Sequence, residues 1–510
     1  MFKMLSLSLF ILFFCANVFA QEKIVVKSVE NNFEYPFYAK SNSNKSSPNE
    51  MRILHSGIAS LQLRLQMIRR AQRSIELEYF IFQNDMSGRI IVTELIKKAQ
   101  QGVKVRLLID KSITVIRFDE YYAAELMRHK NIQVSYYNRA LDPATAQYRN
   151  HRKLLSIDRE EALTGGRNIG LDYFDLDPDY NFFDRDIWVK GPIVKAMVDS
   201  FNIFWKNSRT KLAKLPYVPE YSRLHRSHQR RNTPRLRVHE RRKKEAADFM
   251  KETPEMQRLK LKIAKIARPY LEKSSIHTCP NLTFVSDRPG GTILRGLTDD
   301  YLTEDRILNQ VLKERLKNAK KSVIMESPYF LVNKSFDETL NHLLDKGIDV
   351  KVLTNSLGST DAIYVATNFY RKIEKWIDRD LKTYVFDSKW HAEESDVVIN
   401  PRIKKTRYGI HAKTFIIDDE DFTIGSYNID NRSDYFNAEM TLFCEGSTEL
   451  VEDLKQNVQL RIDHSYLLIR DDEAIDKNLM EADPYAGASD STIRIMKGIT
   501  IPASLLEFIM

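Results

Sequence analysis

The feature that most restricts this chain is a string that occurs twice. "HRKLLSID" at 151–158 and "HAKTFIID" at 411–418 share one spacing: His, any residue, Lys, any four, Asp. The likeness extends outward. "IRRAQRSIELEYFIF" (68–82) reads like "LKNAKKSVIMESPYFLV" (316–332), a basic helix end followed by a strand that closes on Tyr79-Phe80 or Tyr329-Phe330. Beyond an amphipathic stretch, "GVKVRLLIDKS" (102–112) reads like "GIDVKVLTNSL" (347–357), apolar-rich strands of the buried kind. Strands alternating with helices predict an α/β sandwich, here made twice. The chain is therefore expected to form two similar α/β domains packed about a pseudo-twofold axis, and 510 residues suffice for two cores.

The domains are expected at 21–205 and 276–475, with a signal peptide at 1–20, a basic insertion or linker at 206–275 and a tail at 476–510. The start "MFKMLSLSLFILFFCANVFA" carries Lys3 before an apolar run short for a spanning helix, then small residues Val18 and Ala20 where a signal peptidase cuts. Export to the periplasm or medium follows, with peripheral membrane association. Cleavage would remove Cys15 and leave Cys279 and Cys444, as one disulfide or as two buried thiols. Within the insertion, "YSRLHRSHQRRNTPRLRVHERRKKE" (221–245) holds ten Lys or Arg against two Glu. It reads first as a solvated linker and second as a contact for anionic lipid headgroups, which the net charge of +9 also suits. His225, His228 and His239 lack ligand partners at metal spacing and read as solvated. The closing "ITIPASLLEFIM" reads as docked on the domain surface.

On a strand, His151 and Lys153 project together, as do His411 and Lys413, each pair an adjacent base and cation. Asp158 and Asp418 have the opposite parity and read as structural. "TGGRNIG" (164–170) and "IGSYNID" (424–430) follow, Gly turns that leave backbone N–H groups open to an anion at Gly166 and Ser426, with Asn168 and Asn428 as side-chain donors. Two imidazoles, two ammonium groups and two amides suit a phosphodiester. Displacement at phosphorus through a covalent intermediate needs a nucleophile and, opposite it, an acid for the departing alcohol, and one imidazole cannot do both. Asp186 and Glu439, similarly placed downstream of the two histidines, are expected to orient them. The inventory calls for no metal and no cofactor.

With "HRKLLSID" beside "GGRN" and "HAKTFIID" beside "GSYN", the chain resembles the phospholipase D superfamily from about residue 52 to 470. "ELEYFIFQNDMSGR", "GGRNIGLDYF" and "VKGPIV" are most similar to its bacterial cardiolipin-synthase-like branch. The resemblance implies a phosphohistidine intermediate with His151 as nucleophile and His411 as acid and base. It implies a glycerophospholipid substrate at an anionic membrane surface. An exported chain without a second membrane-embedded segment points to water as acceptor: a phospholipase D that releases phosphatidic acid and transfers to added alcohols. Lipid-to-lipid transfer, as in a cardiolipin synthase, is the alternative. A secreted nuclease is a further one, but no basic track interleaved with aromatics is present, so nucleic acid is not expected as a partner. A monomer is expected.

Overall fold

The computed structural model describes residues 33–42, 47–112, 117–139, 146–215, 226–290, 305–388 and 406–498, with backbone alone for 226–235. The proposed signal peptide and the segment "ITIPASLLEFIM" lie outside the described residues.

Two sheets carry the duplication. In the first half, Ile132–Tyr137, Lys104–Asp110 and Ser74–Tyr79 run parallel, and Leu154–Ile157, Glu161–Gly165, Asp186–Lys190 and Glu50–Leu54 continue antiparallel. In the second half the same order is built from Lys382–Phe386, Asp349–Asn355, Ser322–Glu326, Thr414–Ile417, Asp421–Gly425, Met440–Glu445 and Asn281–Ser286. The parallel strands are buried on both faces because helices cover them. In the first half the covering helices include Gly57–Arg70, Met86–Gln100 and Ile193–Lys206; in the second they include Ile307–Lys317, Lys334–Asp345, Ile363–Ile377 and Thr448–Ile462.

The halves exchange edges. Tyr38–Asn42, early in the chain, adds to the second sheet beside Asn281–Ser286, whereas His277–Thr278 adds to the first sheet beside Glu50–Leu54. Between the sheets, Tyr180–Phe183 pairs in parallel with Arg407–Ile410. Beside that ribbon the buried Arg185 donates to Thr414 Oγ1 (2.5 Å), to Asn457 Oδ1 (2.9 Å) and to Glu326, all in the opposite half.

The described side chains of 221–245 are mostly exposed, as expected of a solvated linker or surface insertion, but the insertion as a whole is helical and seated on the first half. It forms helices Arg226–Phe249 and Pro254–Lys273, and Ala246, Phe249, Met256, Ile263 and Ala267 join the core of the first half. Helical spacing of these apolar residues, all beyond the basic run 221–245, supplies the buried stripe that seats the insertion. His239 is also buried, its Nδ1 3.1 Å from the Tyr121 hydroxyl; His225 lies outside the described residues and His228 has only its backbone described. Cys279 and Cys444, left open by the sequence, are bonded to each other with Cα atoms 5.9 Å apart. Past residue 475 the tail adds the edge strand Glu481–Ala482 and the helix Asp490–Gly498.

Candidate active site

Each histidine stands just ahead of its motif strand rather than within it, and each is tied to the other half. Asp110 Oδ2 accepts the Asn150 N–H (2.8 Å), and at the matching position Asn355 Oδ1 accepts the Ile410 N–H (2.7 Å). One residue on, the His151 N–H donates to the Ala438 carbonyl (3.0 Å) and the His411 N–H to the Phe183 carbonyl (2.7 Å). Ala438 precedes Glu439 and Phe183 precedes Asp184. The backbone pairing therefore delivers to each imidazole a carboxylate from the opposite half. His151 Nδ1 lies 2.9 and 3.0 Å from the Glu439 oxygens, and His411 Nδ1 lies 2.5 Å from Asp184 Oδ2. A carboxylate on Nδ1 fixes the proton there and leaves Nε2 with its lone pair.

This corrects one expected residue: Asp184, not Asp186, meets His411. Asp186 accepts from Arg64 (3.0 Å), Arg167 (3.4 Å) and Ser60 within the first half. The sheet register explains the error. Gly165 pairs with Asp186 and Gly425 pairs with Thr441, so the counterpart of Glu439, two residues before Thr441, is Asp184. Gly165 and Gly425 each stand 14 residues after their histidine, so counting along the chain cannot find it; only the strand pairing does.

Gly166 and Ser426 also act differently from expectation. The Gly166 N–H is spent on the Arg185 carbonyl (3.0 Å), and the Ser426 N–H on the Met440 carbonyl (3.0 Å), so neither is open to an anion. A Cβ at Gly166 would stand 2.1 Å from Asp184 Oδ1; this glycine leaves the space that the aspartate fills. Ser426 Oγ donates to Glu439 Oε2 (2.5 Å), while Ser433 and Asn437 donate to Oε1 (3.0 and 3.2 Å). Asn168 uses Oδ1 to accept the Ile81 N–H (3.1 Å), and its buried Nδ2 interacts with the Tyr173 hydroxyl. Asn428 is likewise buried, with its Oδ1 unpaired.

Asp158 and Asp418 are structural, as expected. Asp158 accepts the N–H groups of Gln72 (2.8 Å), Arg73 (2.6 Å) and Ser74 (2.9 Å), and Asp418 those of Lys320 (2.9 Å), Lys321 (2.7 Å) and Ser322 (3.1 Å).

Burial dominates the electrostatics. It pushes His151 down to about 4 and His411 to about 3, although Glu439 and Asp184 act in the opposite direction, so both imidazoles are neutral near pH 7. Burial also brings Lys153 down to about 7 and Lys413 to about 8 against the pull of the carboxylates. On Asp184, burial raises the carboxyl, but His411, Lys413 and Arg167 together hold it well below the ordinary range. Each motif's lysine acts on the other motif's histidine, so the four groups share one electrostatic site. An arriving phosphodiester anion favours the charged forms of all four. Three aromatic residues that the motif reading did not flag frame the imidazoles. Phe80 lies edge-on to His151 at 5.1 Å between ring centres, and Tyr173 and Phe182 flank His411 at 5.2 and 4.8 Å.

Comparison with known proteins agrees with this doubled site. The family model described as "Cardiolipin synthase, PLD-like domain" matches residues 65–205 and 312–461, one match per half. Cardiolipin synthase C of Escherichia coli (strain K12) is 27% identical over 446 residues, spanning 81% of this chain and 85% of the relative. The major cardiolipin synthase ClsA of Bacillus subtilis (strain 168) is 24% identical over 418 residues, spanning 80% and 69%. Among solved structures, phosphatidylserine synthase of Haemophilus influenzae Rd KW20 superposes with a TM-score of 0.61 at 15% identity, covering 94% of this chain and 99% of that one, a likeness of fold. The chain belongs to the phospholipase D superfamily, in its cardiolipin-synthase-like branch.

Proposed function

We propose that the protein is a phosphatidyltransferase of the cardiolipin-synthase type, which moves a phosphatidyl group from one phospholipid to a hydroxyl of a second. The observation that carries this reading is the match to a cardiolipin synthase across both halves, 85% of that relative's length, joined to a site with two imidazoles, each held by a carboxylate from the opposite half. It replaces hydrolysis as the leading reading. That expectation rested on the export signal, whereas the named relatives matched over both halves are synthases.

The chemistry needs two symmetric steps. His151 Nε2 attacks phosphorus, the bond from phosphorus to the headgroup oxygen breaks, and a proton on His411 Nε2 passes to that oxygen. His411, now neutral, takes the proton of the incoming hydroxyl, whose oxygen displaces His151 and closes the new phosphodiester. Lys153, Lys413 and the Asn168 amide offset charge on the non-bridging oxygens. The assignment of nucleophile and acid rests on the family resemblance. Both histidines and both carboxylates come from one chain, so a monomer suffices.

The setting is part of the same proposal. Exposed Arg237, Arg241, Lys244, Lys265 and Arg268 on the insertion helices suit an anionic membrane surface, and the disulfide suits an oxidising compartment reached by export. Among the described residues no helix is long and apolar enough to cross a membrane.

Vesicles containing phosphatidylglycerol with a labelled headgroup test the reading. Cardiolipin and free glycerol are expected in equal amounts, with phosphatidic acid minor and with no turnover by H151A. Phosphatidic acid without cardiolipin would return the hydrolytic reading to first place.

A further inference from the structure

The two halves present different chemistry to the two sides of the phosphorus. Phe82 bridges Ile169 and Phe330 bridges Ile429 in matching positions, so Tyr329 in the second half takes the place of Ile81 in the first. This register also moves the matched pair from Tyr79 and Tyr329 to Ile81 and Tyr329. The wall beside His151 is therefore apolar, with Phe80, Ile81 and Phe82 in sequence and Phe80 against the imidazole. The corresponding wall in the second half carries a hydroxyl, and that hydroxyl donates to Asp361 at 3.1 and 3.2 Å from its two oxygens.

Asp361 is held beside the second motif, with the Tyr329 hydroxyl as its side-chain partner. Its loop is fixed to the His411 segment: Asn355 closes on both the N–H and the carbonyl of Ile410 (2.7 and 2.8 Å), and the Ser359 carbonyl accepts from the Tyr180 hydroxyl (2.6 Å). The helix that follows, Ile363–Ile377, takes no side-chain cap, and the Ala362 N–H goes to Thr360 Oγ1 (3.1 Å). Among the described residues Asp361 forms no ion pair; burial raises its carboxyl, against the Tyr329 hydroxyl, its own N–H and Lys413, and part of it reaches solvent beside the half-exposed Tyr364. A carboxylate so close to the place of a phosphodiester anion costs repulsion unless the bound substrate brings donors to it.

In-line displacement puts the departing alcohol on the side opposite the nucleophile, which is the side of His411, Tyr329 and Asp361. We propose that Asp361 and Tyr329 form the subsite for the alcohol side of the reaction, holding a short headgroup whose far end donates hydrogen bonds. Glycerol and ethanolamine share that chemistry. The inference rests on the phosphatidyl-transfer reading and adds the residues that select the alcohol.

The test is a competition for one covalent intermediate. The full chain receives a short-chain phospholipid with glycerol, ethanolamine and 1-propanol in the same tube, and the phosphatidyl products are weighed against one another by mass spectrometry. Because the ratio is read, the overall rate does not enter. D361N should lower both the glycerol-to-propanol and the ethanolamine-to-propanol ratio on the order of tenfold, the worth of one hydrogen bond to a charged group, and Y329F should lower them by less. A fall confined to ethanolamine would assign the site to an ammonium group and still support it. Unchanged ratios in both variants overturn it, and if D361N yields no product, Y329F and Y364F decide in the same assay. Wild-type protein that transfers to none of the alcohols overturns the subsite together with the reading beneath it.

Discussion

The arm that holds His151 and the arm that holds His411 do one task with different parts. At His151 the acid is the longer Glu439, tethered by hydroxyls from Ser426 and Ser433 and an amide from Asn437. At His411 the acid is the shorter Asp184, and where the first arm has a serine the second has Gly166, its missing side chain replaced by the aspartate itself. Asp184 has one neutral donor, the Arg185 N–H (2.6 Å), and beyond His411 itself it is held by the charges of Lys413 and Arg167. A duplicated fold thus keeps the distance from imidazole to carboxylate while letting side-chain length and local space trade against each other. A nucleophile profits from one fixed aim, which neutral tethers supply. An acid that gains and loses a proton profits from a carboxylate kept firmly ionised.

Removing the charge of either acid is the strongest way to break the comparison. D184N and E439Q should each lower kcat on the order of a thousandfold with the fold retained, because the amide no longer fixes the proton on Nδ1. D186N should behave in the opposite sense: it strands the buried Arg64 and Arg167, costing about 3 kcal/mol of stability, while the soluble fraction keeps most of its turnover. Thermal melts beside initial rates separate the two. Equal loss of turnover in D184N and D186N would erase the distinction between an orienting carboxylate and a structural one.

Space is the second difference to probe. In G166A the new methyl would meet Asp184 Oδ1 at 2.1 Å, and the aspartate can yield only by leaving His411; a loss of about a hundredfold is expected from this overpacking. S426A removes one of three tethers on Glu439 and should cost only about tenfold. The reverse order, measured as kcat at saturating substrate, would mean that the serine arm is the tighter constraint.

The smallest effect is on acid stability. Both imidazoles have folded values below the ordinary 6.5, His151 about 4 and His411 about 3, so between those values and 6.5 the unfolded chain binds more protons. Stability therefore holds above about pH 6.5 and falls as pH drops toward 4, with a slope of up to about 1.4 kcal/mol per pH unit for each histidine. Urea midpoints for H151N and H411N should depend less on pH in this window than those of the wild type. Identical slopes would place the protons on other groups, the depressed carboxyls of Glu439 and Asp184 among them.

Much of this was written along the chain. The doubled motif, the repeated strand order, the two histidines, both lysines and the structural Asp158 and Asp418 follow from local pattern, because strand spacing and turn chemistry act over a few residues. Glu439 was legible as well, since the segment entering its strand carries one acid at the right distance. The matching segment of the first half carries two, Asp184 and Asp186, and only the sheet register tells which one faces across. The partnership of Cys279 with Cys444 and the seating of the insertion helices on the first core were likewise decided in three dimensions. So was the crossing by which each half completes the other's imidazole. The physical reason is common to all of these: sequence spacing sets which way a side chain faces, but which surface it meets depends on backbone pairing between segments hundreds of residues apart.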